Sequence, residues 1–107
     1  MEIDVDQIPW KPTGHRGVFL HSVYRAADTG TSVLLIRMDP GCGYPAHRHA
    51  GEERVLVLNG SYRDETATYR AGSLQVNAPG SFHSPVALEG DEPCVLLATI
   101  VGGIDIP

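Results

Sequence analysis

Apolar and β-branched residues along this chain fall into short runs divided by turn-forming residues. The runs are GVFLHSVYR (17–25), TSVLLIRM (31–38), ERVLVLN (53–59), SYRDETATY (61–69), GSLQV (72–76) and CVLLATIV (94–101). Between them stand DTG (28–30), DPG (39–41), NG (59–60), AG (71–72), PG (79–80) and EGDEP (89–93), each supplying the backbone geometry a reversal needs. Strands of about five to nine residues at roughly ten-residue spacing predict an all-β sandwich or barrel. No 3.6-residue periodicity persists long enough for a substantial helix. VLVL and VLLATIV are apolar on both faces, so those strands are expected to be covered on both sides, in part by a second subunit. Asn59-Gly60 is expected to close a two-residue hairpin, because a type I′ turn needs positive φ at both central positions.

The first sixteen residues, with Pro9, Trp10 and Pro12, read as an extended arm laid on the barrel, with Trp10 as a core anchor. Met38, Leu56 and Phe82 are expected in the core. The whole chain, 1–107, is expected to be one domain, with residues 17–101 forming the barrel.

Charge narrows the partners. Eight Lys plus Arg against thirteen Asp plus Glu leave a formal charge of −5. The basic residues are scattered, so no stripe exists to neutralise nucleic-acid phosphates or to dock on an anionic membrane. A small molecule, an ion or another protein is the expected partner. The start, MEIDVDQIPW, lacks the basic and apolar segments of a secretory signal. Two isolated cysteines, Cys42 and Cys94, make no disulfide framework. A cytoplasmic, reduced setting is expected.

Chemistry concentrates in PAHRHAGEERVLVLNG (45–60). His47 and His49 are two apart, so on a strand both rings leave the same face, with Cα atoms about 6.5–7 Å apart. That spacing suits two nitrogens each about 2.0–2.1 Å from one metal ion. Glu53 opens the next strand and can return to the same ion, whereas Glu52 alternates out of phase toward solvent. His83 follows about 30 residues downstream, after PGSF. The competing reading is a polar edge strand with solvated histidines. Three imidazoles and a carboxylate would leave two positions open in a six-coordinate ion. One divalent ion per chain is expected, Fe or Zn foremost, with Mn or Ni also suited to the donor set. Arg37, Tyr62, Arg63 and Arg70 are candidates for the barrel mouth, where they would meet an anionic or carbonyl ligand. His15 and His21 have no acid at metal spacing.

The spacing Gly41-x5-His47-x-His49-x3-Glu53-x6-Gly60 resembles the first motif of the cupins, and Gly72 with Gly80-x2-His83 resembles part of the second. Ala78 and Ala87 depart from the Pro and Asn usual there. Over residues 17–101 the chain is similar to the ChrR-type cupin-like domain and its single-domain relatives, which include acetylacetone-cleaving dioxygenases. The resemblance implies a double-stranded β-helix, or jelly roll, commonly dimeric, with His47, His49, Glu53 and His83 at the ligand positions. It implies either a metal-dependent dioxygenase acting on a small β-diketone or hydroxylated aryl ketone, or a zinc or small-ligand sensing module without catalysis. ChrR-type anti-sigma factors carry a separate helical zinc-binding domain that holds the sigma factor. No His/Cys cluster precedes residue 42 here, so this chain by itself is not expected to sequester one.

Overall fold

The computed structural model describes residue 4, residues 7–102 and residues 104–105. Residues 1–3 and 5–6 of the expected arm therefore lie outside the described residues. Twelve strands and no α-helix occur among the described residues, so none provides a helix long and apolar enough to cross a membrane.

β1 (Lys11–Pro12), β2 (Val18–Ala26), β3 (Thr31–Met38), β5 (Glu53–Asn59), β8 (Leu74–Asn77) and β11 (Cys94–Val101) build one sheet in the order β1-β2-β3-β11-β5-β8. β6 (Ser61–Arg63), β7 (Thr68–Arg70) and β10 (Val86–Ala87) form a second sheet, ordered β10-β6-β7. β4 (His47–His49), β9 (Phe82–His83) and β12 (Ile104–Asp105) form a third, ordered β12-β4-β9. Every pairing is antiparallel, and strands adjacent in sequence often lie in different sheets, as the expected jelly roll requires.

The core lies under the inward residues of β3, β5, β6 and β11. Val18, Met38, Val57, Tyr62, Cys94 and Ala98 are almost wholly sequestered. A fully buried Val or Met stabilises the fold by about 1.5–3 kcal/mol relative to exposure. Cys42 and Cys94 are both buried free thiols, and burial pushes the Cys94 thiol up to about 12.

Three of the core expectations are corrected, two of them by strand alternation. β5 turns Glu53, Val55 and Val57 inward, which leaves Leu56 half-buried and Leu58 42% exposed in the single chain. In two-residue β9, His83 points in and so Phe82 points out, under the Arg48 guanidinium. Trp10 is only half-buried, and the neighbouring Ile8 takes the sequestered position. Met38 alone of the named core residues is fully buried.

Asn59-Gly60 is not a hairpin turn. β5 pairs with β8 and β11, whereas β6 pairs with β7 and β10, so the chain changes sheets here. Asn59 has ordinary negative φ and donates from Nδ2 to the Pro93 carbonyl, while Gly60 alone adopts positive φ (69°). A Cβ at Gly60 would stand 2.5 Å from Pro93 O. The run 61–69 is likewise two strands, because Asp64 accepts from Thr66 and Ala67 amides and turns the chain between β6 and β7.

Gly60 and Gly72 both need positive φ, but only Gly60 faces backbone at close range. Gly60→Ala is expected to cost about 2–4 kcal/mol and Gly72→Ala about 1–2 kcal/mol. Guanidinium unfolding midpoints of the two variants measure the difference.

Candidate metal centre

β4 and β9 are antiparallel neighbours with His47 directly opposite His83. The period of two places His49 on the same face as His47, with Arg48 exposed between them. After the reversal at Ala50-Gly51, Glu53 begins β5 and points into the same space. All four side chains are buried, and one donor atom from each lies within 4.8 Å of the others. Ring centroids stand 5.0 Å apart for His47–His49, 4.6 Å for His47–His83 and 4.8 Å for His49–His83.

Outer partners decide which nitrogen of each ring carries the proton. His47 Nδ1 lies 2.8 Å from the Pro45 carbonyl, which only accepts, so Nδ1 is the donor. His83 Nδ1 lies 3.1 Å from the Asp64 carboxylate and donates likewise. Ser81 Oγ gives its own proton to Ala78 O at 2.6 Å, which leaves it to accept from His49 Nδ1 at 3.0 Å. All three Nε2 lone pairs therefore face inward.

Those lone pairs conflict with one another unless a cation joins them. His47 Nε2 and His83 Nε2 are 3.0 Å apart. His49 Nε2 is 2.9 Å from Glu53 Oε1 without hydrogen-bond alignment, and it is a buried nitrogen with no hydrogen-bond partner. Two donors each about 2.1 Å from one ion and at right angles stand about 3.0 Å apart, which matches both separations. The donor set fits one divalent ion, and each ring is held by an acceptor on its other nitrogen in the way metal-ligating histidines are.

Burial lowers the His47 pKa, and its hydrogen bond to Pro45 only partly opposes that effect. Burial would raise the Glu53 pKa, a protonated His49 would lower it, and the Asn77 amide, which donates to Glu53 Oε1 at 3.0 Å, also holds the carboxyl down. Asp64 behaves similarly: burial pushes upward, and bonds from Gln75, His83 and the turn amides outweigh it.

A cavity of about 340 Å³ opens beside the cluster. His47, Glu53 and His83 line it, whereas His49, fully buried, closes the back. The remaining wall is mainly apolar, with Leu34, Ile36, Val55 and Leu96 prominent. Of the four residues expected at the mouth, Tyr62 alone lines this cavity. Its hydroxyl donates to Gln75 Oε1, and burial raises its pKa, so it stays neutral and engaged. Arg37 lies on the opposite sheet face, bonded to Asp39 and stacked over Phe19. Arg63 and Arg70 are exposed strand residues away from the cavity. Glu52 pairs with Arg54 on the surface, and His15 packs its edge on Tyr44.

Asp64, Ser81 and Asn77 were missed as site residues. Their roles depend on partners 19 to 32 residues away, for which the sequence holds no local pattern. The Ser81-x-His83 spacing on an antiparallel neighbour of β4 was the only available signal.

A family model described as the ChrR cupin-like domain matches residues 1–100. The anti-sigma-E factor ChrR of Cereibacter sphaeroides is 39% identical over 64 residues, covering 60% of this chain and 30% of that protein. The solved structure of ChrR in complex with SigE of Rhodobacter sphaeroides matches with a TM-score of 0.81 at 30% identity, covering 91% of this chain and 50% of that one. This chain thus spans half or less of the length of these two relatives. An acetylacetone dioxygenase from Acinetobacter johnsonii matches in fold, with a TM-score of 0.84 at 15% identity, covering 99% of this chain and 75% of that one.

Two outcomes are expected of the centre. Asp64→Asn should weaken divalent-metal affinity about 10–100-fold, read by competition with a chromogenic chelator. The second concerns pH. Only the neutral ring ligates, and the lowered His47 pKa keeps that ring neutral to lower pH than an exposed imidazole of about 6.5. Glu53 and Asp64, also lowered, remain charged throughout that range. Metal should therefore stay bound at pH 6.5 and be released only on further acidification, as followed by equilibrium dialysis.

Proposed function

Because this chain belongs to the ChrR cupin-like family, we propose that it is a mononuclear metal-dependent cupin using His47, His49, Glu53 and His83 as ligands. It acts as a dioxygenase on a small β-diketone or hydroxylated aryl ketone. The observation that supports this reading is the position of the cavity. Three of the four ligands form its wall, so open positions on the ion would face an apolar chamber. When bound, an ion such as Fe(II) supplies a site where adjacent ligand oxygens and O₂ meet, both oxygen atoms ending in the cleaved products.

The chain's own residues do the rest. Asp64, Pro45 and Ser81 fix the three rings, so the site needs no reorganisation when a ligand enters. The apolar wall excludes water and orients the ligand's carbon skeleton. Glu53 is the only carboxylate on the wall among the described residues, and as a ligand it would balance one of the ion's two charges. Exposed Leu58, Leu74 and Val76 on the outer sheet face support a homodimer as the working assembly.

A second reading, a sensing module that binds zinc and a small ligand without turnover, is favoured by sequence. Identity is 39% to an anti-sigma factor but 15% to the dioxygenase. One comparison separates them. Untagged protein should carry about one divalent ion per chain by elemental analysis, lost in the His47→Ala, His49→Ala double variant. The Fe(II)-loaded chain should then consume O₂ with a panel of β-diketones and hydroxylated aryl ketones. Tight zinc retention with no uptake across the panel would establish the sensing module instead.

A further inference from the structure

β2 carries a β-bulge. Ser22 stands opposite Leu34 and Tyr24 opposite Val33, the adjacent residue of β3, so Val23 is an extra residue. An inserted residue reverses the alternation of a strand. Leu20 and Ser22 line the cavity, and in a regular strand Tyr24 would follow them. Instead Tyr24 is 59% exposed on the outside, and Arg25 lines the cavity.

Arg25 sits opposite Ser32, Ser32 opposite Ile100, and Ile100 opposite Glu53. All four face the cavity. Arg25 and Glu53 therefore occupy one row across four strands, their Cα atoms no more than about 15 Å apart. Arg37 and Arg54 are each paired with a neighbouring acid, whereas Arg25 makes no ion pair among the described residues. It is also the only arginine or lysine on the cavity wall among the described residues.

We infer that Arg25 is the specificity-determining residue of the centre, and that its ligand is an apolar molecule with chelating oxygens at one end and a carboxylate at the other. The inference rests on the metal-centre reading above and adds the ligand's second charged end. In a chain of net charge −5 the overall field repels anions, so an acidic ligand needs a local cation. A guanidinium at the mouth provides one and can bind a carboxylate through two parallel hydrogen bonds. The bulge is the device that places it there, since a regular β2 would present a phenol.

Benzoylacetone and its para-carboxylated derivative are the probes, titrated by calorimetry into zinc-loaded protein whose metal content is measured separately. The wild-type chain should bind the acid about tenfold more tightly than the neutral diketone. Arg25→Ala should remove that preference with little change for the neutral probe. Arg25→Lys should keep part of it, and Arg25→Glu should make the acid the weaker ligand. Equal affinities in the wild type, a preference surviving in Arg25→Ala, or binding of neither probe by metal-replete protein would each overturn the inference. A chain that holds no metal would instead overturn the reading of the centre. The acid–neutral comparison on that metal-free chain would still decide the role of Arg25.

Discussion

Three imidazole lone pairs and a carboxylate converge at the buried end of one cavity, and much of the molecule serves that convergence. Each Nε2 faces inward because each Nδ1 is committed to an acceptor: Pro45 O, Ser81 Oγ or Asp64. A buried polar atom left without a partner costs about 1–3 kcal/mol, and here acceptors also oppose one another at 2.9–3.0 Å. Protonation is a poor remedy, since burial lowers the His47 pKa. A divalent cation would satisfy every lone pair at once.

The β architecture makes such a convergence compact. Antiparallel pairing sets His47 against His83, the two-residue period adds His49, and one reversal brings Glu53. Irregularities then do what regular strands cannot. Gly60, pressed against Pro93, lets the chain leave one sheet for the other, which carries Tyr62 to the cavity wall and Asp64 to His83. The bulge at Val23 brings a cation to the far end of the same row. The regular pleat thus sets the ligand end of the cavity, and a backbone departure sets the other.

This division explains what could be read from the sequence. The all-β jelly roll was legible because turn residues punctuate apolar runs at regular intervals. The ligand geometry was legible in His47-x-His49 because strand period alone decides which side chains share a face. Where the chain departs from that period, reading failed. Asn59-Gly60 has the composition of a hairpin, but its Asn bonds to Pro93 and only its Gly takes positive φ. Arg25 was invisible, since a bulge appears only when β2 is laid against β3. Three arginines expected at the mouth instead lie on outer positions, where a charged head keeps its water. Asp64 looked like mid-strand, yet its carboxylate both closes the β6–β7 turn and orients His83.

Catalysis and sensing place nearly the same demand on this arrangement. Each needs a metal whose open side is reached only through a shaped, apolar chamber, so that one class of ligand gains access and water does not. They diverge at a single step, whether the ligand reacts once it is held. That step depends on the redox character of the ion far more than on the wall, because an N₃O donor set accepts both zinc and iron. A fold of this kind can therefore keep its chamber, its ring-orienting acceptors and its selectivity while changing only the metal it retains. Relatedness by sequence to an anti-sigma factor and by fold to a dioxygenase is then consistent with one physical design.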